Sequence, residues 1–320
     1  MGLVGTIYKK VCLVSPWVEV ALRKVYWRNV KYLKRFAPYG GGGVENACSK
    51  ERVDFEEIVD YLKSEGVGEG SLLVIHSSYD TLSCTGLKPQ EIIQRLRDLV
   101  GESGTIAMPA IRMFAGAPQG GDLLKKNRQY PVCEYNVKRT PVTSGMLPFT
   151  LLRMKGSYCS HFPFNPLVAI GRQAEEMMEH NLDSERSSAH GKGSCWKYCL
   201  DHGAVVVGLG VDLEHHNTMC HVMEEAFDGW RWSDEEWYED REFELVDENG
   251  ERRRIKVRNR RPEWGMLCDA ELNLTSALYK NDVIHKTKIG EIPVGVEYAK
   301  VLQKFLQSRN SKGFPYFKIH

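Results

Sequence analysis

Beyond residue 50 the apolar positions change period several times, and each change marks an element. Asp54 and Glu57 make a capping-box-like start, and Phe55, Ile58, Val59 and Leu62 then recur at helical spacing as far as Gly66. SLLVIH (71–76) is an unbroken apolar run of strand length, followed by the loop HSSYDTLSCTG. Pro89 opens a second amphipathic helix with Ile92, Ile93, Leu96 and Leu99 on one side, and GTIAMP (104–109) reads as another buried strand. AVVVGLGV (204–211) supplies a later strand running into HHNTMCHVMEEAF, where a helix is expected to start. Apolar runs without alternation belong to strands covered on both faces, so this rhythm predicts an α/β domain with a largely parallel central sheet flanked by helices. FELVDENGERRRIKV departs from that pattern. Asn249-Gly250 lies between an acidic and a basic arm, which predicts a β-hairpin insertion with cross-strand charge pairs. A final amphipathic helix is expected over about 295–307, and residues 50–320 are read as one domain.

The first 43 residues are different in kind. Ser15-Pro16 caps a helix on which Val18, Leu22, Val25, Tyr26, Val30, Leu33 and Phe36 form one stripe, and the run Gly40 to Gly43 makes a linker. This segment holds eight Lys or Arg against the single acid Glu19, whereas the whole chain has 43 Lys and Arg against 42 Asp and Glu. Residues 1–43 are therefore a basic amphipathic extension. The helix over 15–36 suits docking on the main domain, a second subunit in a homo-oligomer, or weak contact with an anionic membrane surface. The overall balance of +1 gives no reason to expect nucleic acid as a partner.

Nine scattered cysteines without a paired CxxC ladder argue against a disulfide framework and a zinc ribbon, and they fit a reducing cytoplasm. No stretch has the length and apolarity of a membrane span. The densest reactive cluster is His215-His216-Asn217-Thr218-Met219-Cys220-His221 with Glu224 and Glu225. With Asn217 or Thr218 as N-cap, His221 falls in the first turn and Glu224 or Glu225 can share its face, an arrangement suited to a general base. A zinc site from His215, His216 and His221 is the competing reading, but the HExxH spacing is absent. Cys220 is a weaker candidate nucleophile, since adjacent helical residues diverge by about 100°. Gly208-Leu209-Gly210 lacks the third glycine of a dinucleotide fingerprint and reads as a tight strand exit. His76-Ser77-Ser78 at a strand end and Gly191-Lys192-Gly193-Ser194 before a helix are amide-rich turns suited to a ligand.

Taken in order, LLVIHSSYDTL (72–82), GESGTIAMP (101–109), HFPFNPLVAIG (161–171), GKGSCW (191–196) and VVVGLGVDLEHHNTMCHVMEE (205–225) resemble the aminoglycoside 3-N-acetyltransferase family of antibiotic N-acetyltransferases. Its fold is distinct from that of the more widespread acetyltransferases. The family pattern Asn-Thr-x-x-His-x-x-Glu falls on Asn217, Thr218, His221 and Glu224. The resemblance implies acetyl-CoA as acyl donor, an amino sugar as acceptor, no metal, His221 as general base and Glu224 as its orienting partner, with Thr218 beside them. It also implies His76, Ser77, Ser78, Gly193 and Ser194 as contacts to the donor. Asn217, Glu225 and Asp183 complete the expected site on the acceptor side. Cys195 stands where the family usually has Pro, and residues 1–50 have no counterpart in its shorter members. The basic arm and Arg252 to Arg254 favour a nucleotide-linked amino sugar as acceptor. The acidic run Asp234, Glu235, Glu236, Glu239 and Asp240 would instead suit a polycationic aminoglycoside. A zinc hydrolase and a non-catalytic CoA or sugar-nucleotide binding protein are the alternatives.

Overall fold

The structure is a computed structural model that describes residues 3–29, 52–118, 129–184, 187–213, 217–227, 237–263 and 268–310. Its strands are β1 (Leu72–Ser77), β2 (Thr105–Pro109), β3 (Cys133–Asn136), β4 (Tyr158–Cys159), β5 (Leu167–Gly171), β6 (Val205–Leu209), β7 (Tyr238–Val246), β8 (Arg252–Arg260), β9 (Ile284–Ile289) and β10 (Ile292–Tyr298). Seven of them form one sheet in the order β4-β5-β2-β1-β6-β10-β9. The parallel part is its centre, where β1 pairs with β2 and with β6. On both sides the sheet turns antiparallel, through β5 and β4 on one flank and β10 and β9 on the other. The strand–helix–strand rhythm read from sequence corresponds to this centre. The flanking strands are short or joined by tight turns, and antiparallel pairing is what such connections allow.

Both faces of the sheet are covered, which is why its central strands are apolar at successive positions. Leu73 and Ile75 of β1 face one core with Phe55, Ile58 and Leu62 of one helix (α1, Phe55–Ser64) and Ile92 and Leu96 of another (α2, Pro89–Val100). Leu72 and Val74 face the other core with Trp196, Leu200, Leu302 and Leu306. Asp54 caps α1 by accepting from Glu56 N at 3.0 Å, and Glu91 accepts from Lys88 N at the start of α2. Covering both faces leaves the strand ends as the open edge, and it is at the carboxyl ends of β1 and β6 that the reactive residues gather.

The predicted hairpin forms as β7 and β8, with Glu242 opposite Lys256 and Glu244 opposite Arg254. Asp247 closes its turn by accepting from the backbone of Asn249 and Glu251, and β3 adds in parallel to β7 to make a separate three-stranded sheet. Two expectations need correction. The last helix runs over Ala299–Asn310, because 292–298 is the strand β10, in which Val294 and Val296 alternate into the core at a period of two. The N-terminal helix spans Pro16–Arg28, preceded by a helix over Leu3–Cys12 that the sequence did not suggest, and residues 30–36 lie outside the described residues.

The N-terminal helix docks on the domain. Val20 joins the second core, Trp17 stacks on Trp237 with centroids 4.2 Å apart, and Lys24 pairs with Glu263 at 2.8 Å. Docking on the main domain is one of the expected roles of this helix, but the residues that dock, Trp17, Val20 and Lys24, are not those of the predicted stripe, of which Val25 is exposed. Stacking of this kind contributes about 1 kcal/mol beyond burial. Trp17→Ala should therefore raise amide exchange across residues 16–28 while β1 keeps its protection; unchanged exchange would show that the stack does not hold the helix.

Candidate active site

The strand exit after β6 sets the stage. A Cβ on Gly208 would lie 2.8 Å from Val211 O, and Gly210 has φ +71° and would bring a Cβ to 3.0 Å from Ser78 O, so both glycines are required by a tight reversal. From Asn217 the chain enters a 3-10 turn, Thr218–His221, that runs directly into one α-helical turn, Val222–Glu225. The helix is far shorter than the sequence suggests. Asn217 does not cap it with its side chain; its amide instead donates to the buried Glu297 Oε2 at 2.7 Å.

This short turn carries the expected pair. His221 Nδ1 lies 3.0 Å from Glu224 Oε2, with the imidazole partly exposed and the carboxylate wholly buried. Arg260, the last residue of β8, reaches Nη2 to the same Glu224 oxygen, places Nε on Glu225 Oε1, and also donates to His221 O at 3.3 Å. Glu225 in turn accepts from His190, from its backbone N at 3.1 Å and its ring Nδ1 at 3.1 Å. One guanidinium thus joins two histidine–glutamate pairs, whose rings stand 5.4 Å apart.

Charge explains the protonation states. Burial works to raise both carboxyls, but Arg260 and the adjacent imidazoles outweigh it, so Glu224 sits below the usual carboxylate range and Glu225 well below it. The two carboxylates hold Arg260 protonated despite its burial. His190 is buried enough to be pushed down to about 4 in spite of Glu225. It is therefore neutral near pH 7, with Nδ1–H donating to Glu225 and Nε2 accepting from Asn165 Nδ2 at 3.3 Å. With Glu224 ionised, the His221 proton likewise belongs on Nδ1, and Nε2 carries the lone pair of the neutral ring.

A file of rings ties this cluster to β1. His76 packs 6.1 Å from Trp196, Trp196 lies 5.8 Å from His190, and the Trp196 indole donates to Asn165 O at 2.8 Å. Asn165 itself adopts φ +45°, a left-handed conformation that asparagine tolerates. His76 is thereby brought to the site's edge. Ser78 lies beside it but has spent its amide on Leu209 O at 3.0 Å, and its hydroxyl accepts from Thr81. Ser77 closes β1 against β6, where its register partner is Leu209. Ser194 caps the helix Cys195–Asp201 by accepting from Lys197 N at 3.1 Å, and Gly193 passes so close to His180 O that a Cβ would sit 2.6 Å away. Both residues therefore have structural duties.

Several sequence expectations change. Glu225, expected to face the acceptor, is buried with its oxygens taken by His190 and Arg260. Asp183 is exposed and bonded to His180 at 2.6 Å, with no contact to the histidine cluster. Asn217 is buried and spends its amide on Glu297. The Cys220 thiol donates to Asn217 O at 2.9 Å, and burial pushes it well up, which makes it a packing residue and not a nucleophile. His215, His216 and residues 234–236 lie outside the described residues. Among the described residues no three His, Cys, Asp or Glu side chains converge as a metal site. The carboxylates nearest His221 are already bound to a guanidinium, a donor set ill-suited to a cation. Sequence reasoning missed His190, Asn165 and Arg260. Arg260 is hidden at the end of an arm whose first arginines, Arg252 to Arg254, are exposed.

A family model described as Aminoglycoside 3-N-acetyltransferase matches residues 74–308. Aminoglycoside N(3)-acetyltransferase IX of Micromonospora chalcea is 26% identical over 166 residues, 49% of this chain and 57% of that protein. Aminoglycoside N(3)-acetyltransferase VII of Streptomyces paromomycinus is 26% identical over 167 residues, 50% of this chain and 57% of its own length. The chain thus spans just over half the length of these curated relatives. Among solved structures, AAC-IIIb in binary complex with CoASH superposes with a TM-score of 0.65 at 20% identity, over 83% of this chain and 100% of that one. AAC-VIa bound to sisomicin gives 0.60 at 17% identity, over 81% and 99%. At these identities the superpositions establish the shared fold.

Two outcomes follow from the charge network. Arg260→Met leaves two buried carboxylates uncompensated and should cost about 3–5 kcal/mol, read from urea unfolding at neutral pH; a loss below 1 kcal/mol would mean that the carboxylates find other partners. Between pH 6.5 and about 4 the unfolded chain protonates His190 while the folded one does not, so stability falls as pH falls, by roughly 3 kcal/mol at most. His190→Gln should flatten that slope, and an unchanged slope would assign the acid sensitivity to other groups.

Proposed function

The chain belongs to the aminoglycoside 3-N-acetyltransferase family, and from that premise we propose that it transfers the acetyl group of acetyl-CoA to an amine of an aminoglycoside-type amino sugar, with His221 as general base. The observation that carries this reading is the 3.0 Å pairing of a partly exposed His221 with the buried Glu224, on the residues that match the family's Asn-Thr-x-x-His-x-x-Glu pattern. Glu224 fixes the tautomer, so Nε2 is the nitrogen that takes a proton. The sugar ammonium releases one proton to solvent, and as the resulting amine attacks the thioester carbonyl its nitrogen passes a second proton to Nε2. The tetrahedral adduct then expels the CoA thiolate, which recovers a proton from the imidazolium. Direct transfer is favoured because Cys220, the cysteine beside the histidine, is a buried packing residue whose thiol burial pushes well up.

The acceptor class is read from the matched relatives and from the engagement of the basic arm. The preference for a nucleotide-linked sugar read from the basic arm loses its support here. Arg252 is engaged by Glu134 and Glu244, and Lys256 pairs with Asp240. The relatives matched carry aminoglycoside names. A zinc hydrolase is not retained.

The test is release of free CoA thiol from acetyl-CoA in the presence of a panel of aminoglycosides and nucleotide-linked amino sugars. Release dependent on an aminoglycoside is expected, and release only with nucleotide sugars would reverse the acceptor assignment. His221→Ala should lower turnover about 100-fold or more with CoA affinity nearly intact. Normal turnover by a folded variant would remove His221 from the mechanism, and parallel double-reciprocal lines would point to an acyl-enzyme instead.

A further inference from the structure

Glu297 is the deepest acid near the site and has no place in the mechanism above. It is fully buried on β10, between Val206 of β6 and Ile284 of β9, and its side chain meets the turn that leads to His221. Among the described residues no cation lies within ion-pair distance of it. Its one bond is from Asn217 Nδ2 to Oε2 at 2.7 Å. Beside that bond, Oε1 of Glu297 and Oδ1 of Asn217 have no hydrogen-bond partner among the described residues.

An ionised carboxylate would leave both of those acceptors without a donor, and would bury a charge with only an amide to stabilise it. One proton resolves both. A neutral acid can donate from Oε1 to Asn217 Oδ1 while accepting from Asn217 Nδ2, the reciprocal pairing of a carboxylic acid with a carboxamide. We propose that Glu297 keeps its proton at neutral pH and, through this reciprocal pair, is a positioning residue that holds Asn217 and the 3-10 turn ending at His221.

The surroundings agree. Burial pushes the Glu297 carboxyl up to about 8, against the opposing pull of the Asn217 bond. The other titratable group facing it from the turn is the Cys220 thiol, which is itself pushed up by burial and then by Glu224, Glu271 and Glu297, with Arg260 opposing. No strand neighbour on β6 or β9 contributes a charge at its register positions. Asn217 O receives the Cys220 thiol, so the same residue is bonded at its side chain to β10 and at its carbonyl to the turn it begins. Loss of the Glu297 proton breaks the first of these anchors and places a charge under the second.

The test compares the wild type with Glu297→Gln, which keeps the shape and a neutral donor. In infrared spectra at pH 7 the wild type should show the carbonyl stretch of a protonated carboxyl that Glu297→Gln lacks. Absence of any such band in the wild type overturns the proposal without a variant, and a band that persists unchanged in Glu297→Gln overturns it as well. Because the folded-state pKa is raised, the unfolded chain releases this proton first on going up from about pH 5. Wild-type stability should therefore fall relative to Glu297→Gln as pH rises to about 8, and the gap in Tm should widen in the variant's favour. A constant gap, or one that widens the other way, overturns the proposal. The consequence for catalysis rests on His221 being the base: turnover of the wild type should decline between pH 7 and 9 in a way that Glu297→Gln does not. The infrared and melting readouts need no acceptor, so a failure of the acetyltransferase reading and a failure of the proton assignment are separately visible.

Discussion

The site depends on one buried guanidinium. Arg260 sits between Glu224 and Glu225 and touches the His221 carbonyl, so the orientation of the whole reactive turn is referred to the end of β8. A turn consisting of four 3-10 residues and four helical ones has little rigidity of its own, since so few backbone bonds close it. Its order is imported. The hairpin, which looks like an appendage to the main sheet, supplies the cation without which neither carboxylate could remain ionised out of water. This gives the insertion a purpose that its solvated arginines, Arg252 among them, do not disclose.

The parts that were legible in the sequence are those set by local periodicity or by spacing along one turn. β1, β2 and β6 announce themselves as unbroken apolar runs because both faces of the sheet are covered. Asn249 and Gly250 mark the hairpin because its turn needs Asp247 as acceptor and a positive φ at Gly250. The His221–Glu224 pair is visible because three residues bring two side chains onto one helical face. What stayed hidden is non-local. Arg260 meets Glu224 across 36 positions, His190 meets Glu225 across 35, and Asn217 meets Glu297 across 80. No period reports such meetings. The misplaced last helix has a more specific cause: over 292–298 Ile292, Val294 and Val296 alternate with Pro293, Gly295 and Glu297, and this strand runs without a break into the helix at Ala299, so no turn marks where the period changes.

Asn217 stands at the N-cap position, as one of the two expected residues, yet its side chain makes no cap bond, for an instructive reason. Asparagine is a good N-cap because its oxygen accepts from the first free amides of the helix. Here its amide is committed to a buried carboxyl group, and a hydrogen bond made where water is absent outweighs one that competes with solvent. The turn begins without a side-chain cap and is held from outside instead, by β10 at one end and Arg260 at the other.

Two buried glutamates of this network, Glu224 and Glu297, thus take opposite protonation states, and the difference between them is a single cation. Glu224 has Arg260 and His221 as partners, which more than offset the cost of burying its charge, and it can steer an imidazole as an anion. Glu297 has only Asn217, an amide that offers a hydrogen bond but no charge, and burial there favours the acid form. An anion is needed where a proton must be drawn to and fro on His221. A neutral acid suffices where a backbone turn needs to be tied to a strand, and it avoids placing a second uncompensated charge beneath the base, where it would bind the proton that His221 must release.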